Sequence, residues 1–303
     1  MLSTRMPGKI TVPALRGRKA TRGQGDKLAM VTAYDVTFAR LFDSAGVDAM
    51  LVGDSLGMVI QGYTSTLAVT LDEVIYHTRA VARGTANAHI IGDMPFMSYQ
   101  TSLDEGLRNA GRLMKEGGAE SVKVEGGKEL GELVHRMVRT GIPVMGHVGL
   151  LPQRVHAMGG FKVQGRDDEA AESILEDAMV LAEAGCYAVV IEGVPAPLAE
   201  RITHAIDVPT IGIGAGVGCD GQILVGYDLL GLNNAMKPRF VKHFANFYDD
   251  GLVAARAYID EVRGGVFPGA EHSFGLRPAA PRAEPARTDA PLTASTPAYG
   301  PTH

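Results

Sequence analysis

The sequence has no tryptophan, two cysteines and only 6% aromatic residues. Cys186 and Cys219 form neither a disulfide framework nor a CxxC pair for zinc, so a reducing compartment, the cytoplasm, is expected and Cys219 reads as an ordinary thiol. Positive charge is not in excess: 29 Lys and Arg against 34 Asp and Glu give a formal net charge of −5, without the basic face that nucleic acid or an anionic membrane would need. No stretch reaches the roughly 18 uninterrupted apolar residues of a membrane span, and the N-terminus lacks the apolar core of a signal peptide. Small molecules are therefore the expected partners, with no nucleic acid and no membrane.

What is present is a large globular core. With 303 residues, 46% hydrophobic and 21% charged, the chain has enough apolar surface for one large α/β domain. Residues 1–25 carry six Lys or Arg and no acid, a bias shared with organelle transit peptides but read here as a basic N-terminal arm. Residues 276–303 are rich in Pro, Ala and Thr, cannot bury enough apolar surface to fold alone, and are expected to be a disordered tail.

Residues 26–275 alternate short apolar runs with stretches of helical spacing. The strand candidates are "LAMVTAYD", "AMLVGDS", "HIIGDMPF", "SVKVEGG", "IPVMGHVGL", "AVVIEGVP", "VPTIGIGAG" and "QILVGYD". Helices fit between most of them, for example "VTFARLFDSAG" and "DEGLRNAGRLMKEGG", each closing on glycine. Eight strands separated by helices predict a single-domain (β/α)8 TIM barrel, with a doubly wound open sheet as the runner-up.

Polar residues at the strand ends favour the barrel. Asp35, Asp54, Asp93, Glu125, His147 and Glu192 each follow an apolar run, and in a barrel all strands end at one face. A single such acid reads as a cap, but several in matching positions read as a site. Buried carboxylates repel unless something positive lies among them, and Asp54, Asp93 and Glu125 offer only oxygen, so a hard cation such as Mg2+ is expected before zinc. Lys123 lies two residues before Glu125 and faces the same side of the strand, where it would neutralise the carboxylate of an α-keto acid. Glu192, flanked by Val189, Val190, Ile191 and Val194, is the candidate base for enolisation. His147 is the competing base, and reads equally as a partner of substrate or acid, or as a satisfied histidine without a catalytic role. The glycine-rich "IGIGAGVG" lacks a Walker lysine and reads as a phosphate cradle, a tight turn or the wall of a pocket for a flat cofactor.

"VTAYD", "MLVGDSLGMV", "GDMPFMSY", "VKVEGG", "GHVGLLPQ", "GGFKVQGR", "IGIGAG" with "DGQILV", and "PGAEHSF" together resemble the ketopantoate hydroxymethyltransferase family, from about Ile10 to Phe274. The resemblance implies a (β/α)8 barrel of the phosphoenolpyruvate mutase and isocitrate lyase group, assembled as a homodecamer of two pentamers. It implies Mg2+ held by Asp54, Asp93 and Glu125, the last directly or through water. It also implies keto acid bound by Asp54, Ser55, Asp93 and Lys123, with Glu192 as proton acceptor. The implied reaction is hydroxymethyl transfer (EC 2.1.2.11): a one-carbon unit passes from the co-substrate 5,10-methylenetetrahydrofolate to the enolate of Mg2+-bound 3-methyl-2-oxobutanoate, giving 2-dehydropantoate for pantothenate biosynthesis. The alternative is a folate-independent, Mg2+-dependent 2-keto acid lyase of the same superfamily. Tyr63, Ala68 and Gly193 depart from the residues frequent in the family, and none of them is a proposed ligand.

Overall fold

The computed structural model describes residues 8–19, 26–233 and 238–275; the expected tail over 276–303 and the remainder of the basic arm lie outside the described residues. Contacts divide the chain into a unit ending at Asp250 and a second beginning at Gly251. The first holds β1 (Leu28–Thr32), β2 (Ala49–Val52), β3 (His89–Asp93), β4 (Ser121–Glu125), β5 (Val144–Gly149), β6 (Ala188–Glu192), β7 (Thr210–Ile213) and β8 (Gly221–Leu224). Every strand pairs in parallel with the next, and β8 pairs back onto β1 from Leu28↔Gly221 to Val31↔Leu224. That closure bears out the barrel and excludes the open sheet.

Strand alternation separates two cores. Val122, Val124, Val189 and Ile191 point outward and pack beneath the helices, while Leu51, Ile91, Met145, Val190 and Ile211 fill the barrel interior. Both faces are buried, which is why these strands read as near-continuous apolar runs. Ile91 is fully buried, and truncating such a side chain to alanine costs about 2–5 kcal/mol.

The helices are α1 (Val12–Gly17), α2 (Val36–Ala45), α3 (Leu56–Val59), α4 (Leu71–Gly84), α5 (Leu103–Arg112), α6 (Gly131–Arg139), α7 (Asp168–Glu183), α8 (Ala196–Ala205), α9 (Gly226–Leu229) and α10 (Phe247–Arg263). Their ends follow capping chemistry. Thr70 and Glu73 form a reciprocal capping box before α4, and α2 stops at Gly46 in the left-handed conformation, φ 84°. A π-turn, Leu113–Gly117, continues α5 and delivers the buried Leu113 beneath Gly92 of β3.

The described part of the basic arm lies across the N-terminal end of the barrel. Leu15 of α1 enters the interior core with Ile10 and Val12 packed against it. Its cations find acids there: Lys9 pairs with Glu120, Arg18 with Asp26 and Asp48, and Lys19 with Asp220. In the second unit, the rings of Tyr258 and Phe267 meet at 5.7 Å. Among the described residues no helix is long and apolar enough to cross a membrane.

Candidate active site and metal centre

Strand register builds the site. Asp93 at the end of β3 sits opposite Lys123 of β4, Glu125 opposite His147 of β5, and Gly149 opposite Glu192 of β6. Gly149 has φ 94°, and a side chain there would come within 2.4 Å of the Glu192 carbonyl; only glycine lets β5 turn away so close to β6. Asp54 arrives from the turn after β2, where its backbone N–H donates to Asp93 Oδ2 at 3.0 Å.

Asp54, Asp93 and Glu125 are all buried, and each offers a carboxylate oxygen within 4.8 Å of the other two. Lys123 Nζ lies 2.8 Å from Asp93 Oδ1 and 3.0 Å from Glu125 Oε1. His147 stands between Glu125 and Glu192, at 3.4 Å and 3.2 Å. Gln153, in the turn after β5, ties these groups together. Its Nε2 donates to Asp54 Oδ2 at 3.0 Å and to the Met94 carbonyl at 2.9 Å, and its N–H donates to Glu125 Oε2 at 3.1 Å. The Tyr99 hydroxyl accepts from the Glu125 N–H at 3.0 Å and lies 2.8 Å from Gln153 Oε1. Ser55 Oγ is 2.8 Å from the Tyr34 hydroxyl, which also accepts from Thr32 Oγ1 at 2.8 Å.

Burial and charge divide the acids. Burial raises Asp54 well above the usual carboxylate range, and repulsion from Asp93 and Glu125 adds to it. Asp93 is also raised by burial, with Lys123 opposing. At Glu125 burial is outweighed by Lys123 and His147, which hold the carboxyl down to about 2. Burial and the Lys123 charge both disfavour protonated His147, yet Glu125 and Glu192 more than offset them and raise it to about 9. With every acid ionised, Asp54, Asp93, Glu125 and Glu192 exceed Lys123 and His147 by two negative charges, which a divalent ion would balance.

These residues line a cavity of about 1010 Å3, at the upper end of the roughly 300–1,000 Å3 typical of small-molecule sites. The structure brings Asp54, Ser55, Asp93, Lys123, Glu125, His147 and Glu192 together on its wall, along with Gly214 and Gly216 of the glycine-rich turn. Asp35 does not join them. Its carboxylate caps α2, accepting from the N–H groups of Thr37 and Phe38 at 2.7 and 3.0 Å. The apolar neighbours expected around Glu192 also differ: Val189, Ile191 and Val194 pack in the outer layer, and the carboxylate meets His147 with 15% of its side chain exposed. Gln153, Tyr99, Tyr34 and Thr32 were not singled out by sequence; the signal for Gln153 is a lone amide closing the apolar "GHVGLLPQ". Gly193 adopts φ 57°, a left-handed conformation that suits glycine.

Comparison with known proteins agrees with this geometry. Residues 9–270 match the family model for ketopantoate hydroxymethyltransferase. A 3-methyl-2-oxobutanoate hydroxymethyltransferase of Syntrophus aciditrophicus is 54% identical over 274 residues, spanning 90% of this chain and 100% of that protein. One from Carboxydothermus hydrogenoformans is 51% identical, spanning 89% and 97%. Among solved structures, phosphonopyruvate hydrolase in complex with oxalate and Mg2+ has a TM-score of 0.56 at 12% identity, covering 86% of this chain and 92% of its own. The 2,3-dimethylmalate lyase, a member of the PEP mutase/isocitrate lyase superfamily, has a TM-score of 0.53 at 14% identity, covering 86% and 87%. The distant structures share the barrel fold, and the family match spans all eight strands and all the clustered side chains: the chain belongs to the ketopantoate hydroxymethyltransferase family.

Proposed function

We propose that this chain transfers a one-carbon unit from 5,10-methylenetetrahydrofolate to C3 of 3-methyl-2-oxobutanoate, consuming water and giving 2-dehydropantoate and tetrahydrofolate in pantothenate biosynthesis. The observation that carries the reading is the buried convergence of Asp54, Asp93 and Glu125 beside Lys123, in a chain of this family. Three oxygen donors with an uncompensated negative charge fit a hard divalent ion, Mg2+ before zinc. When bound, that ion would supply Lewis-acid polarisation of the 2-oxo group.

The chain's own residues do the rest. Lys123, fixed between Asp93 and Glu125, contributes the positive charge that draws an anionic keto acid to the floor of the cavity. Ser55, held by Tyr34, offers a hydroxyl to the same ligand. Glu192 reaches the cavity from the end of β6, beyond His147 of β5, and takes the proton from C3, while His147 orients its carboxylate. Water adds to the donor's methylene carbon and its C–N bonds break, releasing tetrahydrofolate; the deprotonated C3 then bonds to that one-carbon unit at the aldehyde level, and its oxygen takes up a proton to become the hydroxyl of the hydroxymethyl group. Enclosing walls such as Leu51, Val190 and Ile213 limit competing hydration.

A cytoplasmic location is supported by two free, buried cysteines. A homodecamer is supported by family membership and by α10, which has no buried residue and leaves Val253 and Tyr258 exposed. The function is tested by incubating purified protein with Mg2+, the keto acid and methylenetetrahydrofolate. Formation of 2-dehydropantoate, lost with EDTA and restored by Mg2+, is expected; cleavage of a keto acid without folate would instead identify a lyase.

A further inference from the structure

The cavity is much larger than a short branched keto acid, and its wall also carries an acid that neither the metal cluster nor the base uses. Asp228 lies on the single turn α9, directly after β8. That turn is pinned: the Gly226 N–H donates to Thr32 Oγ1 at 3.0 Å, and a Cβ at position 226 would come within 2.4 Å of the Thr32 carbonyl. The Asp228 carboxylate is half-buried, and its Oδ1 accepts a long hydrogen bond from Asn233 Nδ2 at 3.3 Å. Among the described residues no donor reaches Oδ2. The same cavity wall carries aromatic rings that are unusually open: Phe240 is 41% exposed and Phe161 49%. Gly214 keeps the slot flat, since a side chain there would meet the Phe240 ring at 3.0 Å.

A carboxylate on a pinned turn, in one cavity with exposed aromatic rings, is matched by a planar heterocycle with two adjacent N–H donors, which a carboxylate accepts in a bidentate pair. The keto acid, an anion without donors, gains nothing there. A 2-amino-4-oxopteridine presents that pair as N3–H and one amino hydrogen. We infer that this wall seats the pteridine of the one-carbon donor, with Asp228 accepting both hydrogens of its 2-amino edge and Phe240 covering one face of the ring. The inference rests on the folate-dependent reading above.

The test compares the wild type with Asp228→Asn, using methylenetetrahydrofolate and its 2-desamino-2-methyl analogue. Exchange of the keto acid's C3 hydrogen with deuterated water, measured without folate, monitors the rest of the site. Wild type is expected to lose about tenfold or more in kcat/KM with the analogue, in line with a hydrogen bond to a charged group. Asp228→Asn is expected to raise KM for the natural donor by a similar factor, to discriminate little between the two donors, and to keep C3 exchange at the wild-type rate. Absence of wild-type preference for the amino-bearing donor, which needs no variant, overturns the assignment. So does an unchanged KM in Asp228→Asn, or discrimination as strong as in wild type. Wild-type protein that exchanges C3 hydrogen yet never uses the folate refutes the folate-dependent reading, and the inference falls with it.

Discussion

Glu192 Oε2 lies 3.2 Å from His147 Nε2, and the same imidazole meets Glu125 through Nδ1 at 3.4 Å. One ring thus separates a carboxylate at the edge of the cavity from one in the buried cluster. Glu192→Gln keeps the shape and the close approach to His147 but removes the base. Turnover and C3 deuterium exchange are expected to fall about 10²–10⁴-fold, with keto acid affinity by calorimetry nearly unchanged. Exchange at the wild-type rate would exclude Glu192 as the proton acceptor.

The same contact predicts a pH effect on stability. In the folded protein His147 titrates at about 9, above the roughly 6.5 of an unfolded chain. Its contribution is therefore complete below the unfolded value and lost as pH rises through the folded one. In EDTA-treated protein the Tm difference between wild type and His147→Gln should be largest near pH 6 and shrink toward pH 9.5. A difference that grows with pH contradicts the assignment.

Lys123 is the cation shared by Asp93 and Glu125. Lys123→Met leaves buried acids without it, a change that costs about 3–5 kcal/mol when the remaining charges stay ionised. Metal-free Lys123→Met should melt well below wild type at pH 8 and recover part of the gap at pH 5, where protonation relieves the repulsion. Thermal melts at the two pH values, with and without Mg2+, check this, and Mg2+ should raise the variant's Tm more than the wild type's.

Gln153 joins the turn after β5 to Asp54 and the Met94 carbonyl. Gln153→Leu fills similar space but leaves those acceptors without a donor and frees Asp54 to rotate. Partners that orient ligands of this kind are worth roughly 10–100-fold in metal affinity. Mg2+ titration of activity should show a rise of that order in the concentration giving half-maximal rate, with far-UV circular dichroism unchanged.

Far from the site, Asp43 accepts from the backbone N–H groups of Ala86, Asn87 and Ala88, clamping the loop before β3 to the end of α2. Burial acts to raise its carboxyl, but those donors hold it below the usual range. Its stabilisation is present above the unfolded pKa and lost as pH falls through the lower, folded value. Asp43→Ala should lower Tm by a few degrees at pH 7 and by less near pH 3, read by differential scanning fluorimetry.

All eight strands were legible because burial on both faces leaves a continuous apolar run, and the clustered acids were legible because a barrel ends all its strands at one face. Register was not legible: that Asp93 faces Lys123 and Glu125 faces His147 depends on strand offsets that no local pattern carries. Asp35 shows the limit of the strand-end rule. It follows an apolar run like the others, but the helix "VTFARLF" begins immediately after it, and capping claims the carboxylate. Gln153 escaped because its turn has no periodicity, and its role appears only when β2, β4 and β5 meet. The charge of the first residues announces neither α1 nor its packing on the barrel, where paired cations sit around the apolar Leu15.

Leu15 has a corollary for truncation. Its side chain is buried in the interior core, so the first helix is part of the barrel's own packing and not a dispensable arm. Losing a side chain of that size from a core costs about 2–5 kcal/mol, and protein trimmed before Leu28 is expected to melt well below the full chain.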